Sequence, residues 1–210
     1  GMLRALGARF YEEGGQEVPE GGQGLERVAR VDLDGLHPAL RETQITVICD
    51  VTNPLLGPSG ATYIYGPQKG ADEAMLRRLE AGMEIYARAY RQLGIDIESF
   101  PGAGAAGGMG GALKGAMGAR LEKGIDAVLG AIGFERLIEG ADLVVTGEGR
   151  IDRQSVEFYK VPAGVAARCQ PRGVPVVALV GGIGEGAGAY HELGQTAILP
   201  ISSGPMPLSQ

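Results

Sequence analysis

Two apolar runs in this 210-residue chain stop abruptly at carboxylates. Residues 45–51 lead to Asp50, Thr52 and Asn53, followed by the loop punctuation Asn53-Pro54 and Gly57-Pro58. Residues 143–145 lead to Glu148, Arg150, Asp152, Gln154 and Ser155, interleaved with Gly147 and Gly149. A carboxylate at a strand end can hold a cation or its water shell, and it can equally cap its own turn. Gln68 and Lys69 lie between Gly66 and Gly70. Lys69 could act as a mobile point charge on a phosphate, or it could be an ordinary solvated lysine. Residues 102–108 carry Gly102, Gly104 and Gly107, a bare G-x-G-x-x-G spelling. No apolar strand precedes it, since residues 95–100 include Asp96, Glu98 and Ser99, so a dinucleotide fold is rejected. Two readings stay open: backbone N–H groups at a helix start that bind an anion, or a helix packed so closely that only Gly and Ala fit. His37 and His191 are isolated, and no nucleophile–histidine pair or metal-histidine spacing is present.

The elements that must position these residues follow from periodicity. Met2, Leu3, Leu6 and Phe10 predict a helix within residues 2–12, and residues 25–33 give a weak strand. Residues 45–51 are almost continuously apolar, as in a strand buried on both faces. Met75, Leu79, Met83, Tyr86, Tyr90 and Leu93 predict a helix over 72–93 whose stripe packs into a core. Short helical pieces are expected at 116–121 and 125–134. From 141 onward strand, helix, strand, helix and strand alternate, with a helix at 162–169 and strands at 174–180 and 197–201. That alternation predicts an α/β fold with a parallel sheet whose strands all end at one edge.

Composition narrows the function classes. A net charge of −6 and sparse aromatics disfavour nucleic acid and anionic membranes as partners. No run approaches the ~20 apolar residues of a membrane span. Cys49 and Cys169 match no metal spacing, so a reducing, cytoplasmic setting is expected. The 37 glycines, scattered among apolar runs, indicate tight loops and not disorder.

Four segments resemble the type-1 glycerate kinases of bacteria: Cys49-Asp-Val-Thr-Asn-Pro-Leu-Leu-Gly-Pro-Ser-Gly-Ala61, Gly66-Pro-Gln-Lys-Gly-Ala71, Gly102-Ala-Gly-Ala-Ala-Gly-Gly108 and Thr146-Gly-Glu-Gly-Arg-Ile-Asp152. The resemblance implies ATP- and Mg²⁺-dependent phosphorylation of D-glycerate. It implies two α/β domains, residues 1–138 forming an inserted domain and 139–210 the C-terminal part of a flavodoxin-like parallel-sheet domain. It also implies that a family N-terminal section and a closing helix lie outside this chain. Carried onto this sequence, catalysis would fall to Asp152, Lys69 and Arg150, and metal binding to Asp50 and Glu148. Substrate or nucleotide contacts would fall to Asn53, Gln68, Gly102, Gly104, Gly107, Gly149, Gln154, Ser155 and Lys160. An alternative is a non-catalytic chain that binds a small anion or completes a site with a partner chain, and a sheet domain lacking its first strands is expected to dimerise through its exposed apolar edges. One departure stands out: Phe158-Tyr159-Lys160-Val161-Pro162 carries Tyr where the family has Gly, and a Tyr does not readily adopt positive φ.

Overall fold

The computed structural model describes residues 1–153, 155 and 159–202, and Gln154 and Phe158 lie outside the described residues. The chain divides into two compact units, Gly1–Glu122 and Lys123–Gln210. Residues 123–138, which the sequence reading assigned to the first domain, pack in the second unit, where Leu129 and Ile138 join a core with Val165 and Val176.

In the first unit, α1 (Met2–Ala5) stops early. Gly7 sits at φ 109°, and a Cβ there would lie 1.9 Å from the Gly35 carbonyl oxygen. The backbone can pass so close to residue 35 only without a side chain, so the expected helix over 2–12 gives way to strand β1 (Arg9–Tyr11). This strand pairs antiparallel with β2 (Arg30–Asp32), placing Phe10 opposite Val31. Strand β3 (Thr46–Ile48) pairs parallel with β4 (Arg120–Glu122). The expected burial of this strand on both faces is not found, because Ile48 is 61% exposed and, among the described residues, β3 and β4 form a two-stranded sheet. Residues 120–121, expected in a helix, belong to β4 because Arg120 and Leu121 register with Thr46 and Val47.

Helices α2 (Ala61–Tyr65), α3 (Glu73–Arg91) and α4 (Ala105–Met117) complete this unit. Asp72 caps α3, its carboxylate accepting the Met75 N–H at 2.8 Å. The predicted stripe is only partly inward: Tyr90 is fully buried, with Met83 and Tyr86 packed against the same core, whereas Met75 and Leu93 at its ends are exposed.

In the second unit, α5 (Gly124–Ala131) and α6 (Phe134–Leu137) precede strand β5 (Val144–Glu148). Helix α7 (Val161–Cys169) and strands β6 (Val176–Val180) and β7 (Ala197–Pro200) follow. The three strands form the expected parallel sheet in the order β5-β6-β7. Helix α7 buries Val165, Ala166 and Cys169, and Arg168 ties it to Asp126 at 3.1 Å and to Glu135. Alternate residues Val176, Ala178 and Val180 of β6 are buried. The opposite set, Val145, Leu179 and Leu199, is exposed on one face of the sheet.

A bare apolar face of this kind drives association. This chain should therefore self-associate with rising concentration in light scattering, and Leu179→Lys should suppress it. A parent chain that stays monodisperse and monomeric at all concentrations would contradict this expectation.

Candidate functional site

In the first unit the loop after β3 and the glycine segment are fastened together. Gly104 N–H donates to the Asn53 carbonyl at 2.9 Å. A Cβ on Gly104 would stand 2.1 Å from the Pro54 carbonyl oxygen, and one on Gly102 3.0 Å from Cys49 Sγ. Glycine is required at Gly104 by this backbone approach. The Asn53 side chain is consumed internally: its amide donates to the Ser59 carbonyl at 3.0 Å and its oxygen accepts the Tyr65 hydroxyl at 3.1 Å. Asn53 thus braces the loop that begins at the exposed Asp50.

Ala106, Gly107 and Gly108 adopt φ of 51°, 78° and 100°, a left-handed turn before the regular part of α4. Of the two readings of the glycine segment, close packing accounts for Gly104, Gly110 and Gly111, each of which leaves a Cβ within 2.2 Å of a carbonyl oxygen. Gly107 differs, with nothing within 4 Å of its Cβ position. Gly107 and Gly108 also line a cavity of about 180 Å³ with Leu3, Phe10, Met83 and Tyr86, whose lining is largely apolar.

Gln68 and Lys69 lie on a 3₁₀ turn, Pro67–Lys69, that follows α2. Both side chains are exposed, and Lys69 has no ion-pair partner among the described residues. The turn is closed by Gly66, whose carbonyl accepts N–H groups from Lys69 and Ala71 at 3.0 and 3.2 Å. Two larger hollows in this unit, of about 530 and 380 Å³, are lined by other residues. One of about 530 Å³ is lined by Glu12, Glu26, Arg27, Ile85 and Arg88 and contains none of the sequence candidates.

In the second unit, β5 ends at Glu148, and the chain turns so that Ile151 bridges in parallel to Ile183 beyond β6. Gly149 N–H donates to Glu148 Oε1 at 3.1 Å. Asp152 Oδ1 accepts the Ser155 N–H and lies 3.1 Å from its hydroxyl, which also reaches the Arg150 carbonyl at 3.2 Å. Asp152 Oδ2 faces Arg150 Nε at 3.5 Å, and Lys160 N–H closes back on the Ser155 carbonyl at 3.1 Å. Arg150, Asp152, Ser155 and Lys160 are therefore one connected turn, with Ser155 buried at its centre and the Arg150 and Lys160 side chains exposed.

The backbone N–H of Ser155, then its hydroxyl and the positive charges of Arg150 and Lys160, hold the Asp152 carboxyl below the usual carboxylate range. A carboxylate so held is a poorer proton acceptor near neutrality. The depressed value fixes the direction of a pH effect. Asp152 contributes stability above its ordinary value of 3.8, and that contribution is lost as pH falls through the lower folded value. Asp152→Asn should remove this acid-side component, which thermal unfolding measured against pH will reveal. Parallel curves for parent and variant would count against the cap.

Neighbours of this turn were not legible as site residues. Gly184 leaves room for it, since a Cβ there would meet Asp152 Cβ at 2.8 Å and Arg150 Nη2 at 3.0 Å. Tyr190 is fully buried, and burial pushes its phenol up to about 12, against a smaller opposing effect of the Ser155 hydroxyl. Tyr159 takes φ 50°, contrary to the expectation that a Tyr avoids this region. Its half-buried ring packs against the core of Ile151 and Tyr190, and Lys123 Nζ lies 3.7 Å from the ring centroid. These contacts offset a backbone cost of about 1–3 kcal/mol.

Among the described residues, no group of three or more His, Cys, Asp or Glu side chains is arranged to hold a metal ion. Asp50 and Glu148, the two sequence candidates, belong to different units.

The glycerate kinase family model matches residues 1–210. A glycerate 2-kinase from Escherichia coli K12 is 44% identical over 202 residues, covering 96% of this chain and 53% of that protein. A glycerate kinase from Bacillus subtilis 168 is 44% identical over 209 residues, covering 99% of this chain and 54% of that protein. A crystal structure from Salmonella typhimurium LT2, described as glycerate kinase 2, superposes with a TM-score of 0.80 at 42% identity. It covers 95% of this chain and 52% of that one. The chain thus spans about half the length of the curated relatives it matches.

Proposed function

Because the chain belongs to the glycerate kinase family, we propose that it carries the acidic, basic and glycine-rich parts of a site that phosphorylates D-glycerate with ATP. The match over all 210 residues carries this reading. Phosphoryl transfer asks a protein chiefly for positioning and charge neutralisation. Lys69, Arg150 and Lys160 supply exposed positive charge for the phosphates. Gly107, with open space at its Cβ position, lets a ligand approach the backbone, and Gln68, Gly102 and Gly149 stand in the same three loops. Asp152 positions Arg150 and Ser155, so its part is to set the turn and not to take the substrate proton.

Mg²⁺ is assigned to the nucleotide, since it usually needs only one or two protein carboxylates besides phosphate oxygens. Within the second unit Glu148, at the end of β5, could supply one, and within the first unit Asp50, after β3, could do so. No helix among the described residues is long and apolar enough to cross a membrane, which is compatible with a cytoplasmic enzyme.

A second reading is a chain that acts only when completed by a partner. ATP-dependent phosphorylation of D-glycerate, measured on this chain alone and after adding the N-terminal section of the Bacillus subtilis relative, separates the two. Turnover by the chain alone supports the first, and turnover only on addition supports the second. Absence of both in folded protein refutes the kinase reading.

A further inference from the structure

Helix α3 places one charged side chain into the interior of its unit. Glu80 is only 8% exposed, on a helix whose other acids and bases lie at its surface. Its Oε1 accepts the Gly57 N–H at 2.6 Å, across 23 residues of sequence. Its Oε2 is buried and has no hydrogen-bond partner among the described residues. Burying a carboxylate is costly unless its partners return the lost hydration, and here one backbone N–H does so.

Gly57 belongs to the same loop as Asn53, and this loop is held at further points. Ala61 N–H donates to the fully buried Leu55 at 3.1 Å, and Asn53 braces Ser59. Gly104 N–H donates to the Asn53 carbonyl. Loop, glycine turn and Asn53 therefore form one connected piece, and Glu80 is the point at which the long helix holds it. We infer that Glu80 is a positioning residue, which sets the loop between Asp50 and Gly60 and, through Asn53 and Gly104, the glycine turn at residues 102–108. Glu80 touches no reacting atom. It acts through the backbone that presents Asp50 and Gly107, and its effect on catalysis rests on the kinase reading above.

The test compares Glu80→Gln, which keeps an acceptor for Gly57, with Glu80→Met, which fills the space and removes the acceptor. Amide hydrogen exchange is followed in both variants, together with the KM for D-glycerate and kcat. Leaving the Gly57 N–H buried without an acceptor should speed exchange in residues 53–61 and 102–108 by about tenfold in the Met variant. The helical amides of 82–91 should keep parental rates, KM should rise more than kcat falls, and the Gln variant should stay close to parent in every readout. Exchange unchanged in the Met variant, or raised equally throughout the unit, overturns the inference. If the parent does not phosphorylate glycerate, the kinase reading fails, while the exchange pattern still decides the role of Glu80.

Discussion

Lys69→Ala should lower the rate of ATP-dependent D-glycerate phosphorylation by about two to three orders of magnitude, the usual effect of removing one well-placed charge from a developing anion. The same substitution should change stability by no more than about 0.5 kcal/mol, because it alters an exposed side chain away from any core. The contrast follows from the structure. Lys69 ends a short 3₁₀ turn whose backbone bonds run to Gly66 and Pro67, so the turn survives loss of the side chain. Its ammonium group has no ion-pair partner among the described residues. Lys69→Arg should recover only part of the rate, since a planar guanidinium on a different stem does not reproduce a compact point charge. Steady-state kinetics beside thermal unfolding check both halves of this statement. An unchanged rate in Lys69→Ala would remove Lys69 from the chemistry.

Gly104→Ala should destabilise the chain by about 2–3 kcal/mol, at the upper end of overpacking effects. The added methyl would lie 2.1 Å from the Pro54 carbonyl oxygen and 3.1 Å from that of Asn53. These are backbone atoms, which cannot swing aside as a side-chain tip can. Relief requires the whole loop to move, with loss of the 2.9 Å bond from Gly104 N–H to Asn53. Gly107→Ala provides the internal comparison. Its methyl meets nothing within 4 Å, and the cost is that of a left-handed Ala, about 1–2 kcal/mol. If Gly107 admits a phosphate to the backbone, this variant should raise the KM for ATP beyond anything its melting temperature explains. Equal stability losses in the two variants would show that the glycine segment is governed by conformation alone. A KM unmoved in Gly107→Ala would remove the phosphate contact.

The amino-acid order alone determined those parts whose signals are local. Helix α3 was legible because Met75, Leu79, Met83, Tyr86, Tyr90 and Leu93 sustain one helical period along it, whereas the Asp72 cap emerged only in the structure. Strands β5 to β7 and helix α7 were legible because short apolar runs separated by one helical stretch have few other ways to bury themselves. The polar loops at the ends of those strands followed, since parallel strands must all finish on one edge.

The tertiary structure decided whatever depends on a distant backbone. Phe10 lies on a strand and not on a helix because Val31 and Gly35 are there to meet it. Residues 120–122 extend because they register with β3, a partner more than 70 positions away. Ile48 and Leu179 are apolar in the sequence and exposed in the fold, because an apolar run states a preference for burial without specifying what will cover it. Glu80 and Asn53 show the same limit in polar residues. An acid beside Leu79 in a helix pattern, or an Asn before Pro54, reads as surface or ligand chemistry. Only the approach of the loop to α3, and of Tyr65 and Ser59 to Asn53, turns both into internal braces. Periodicity is a property of neighbours along the chain, whereas the partner of a buried polar atom is chosen by packing between segments far apart in sequence.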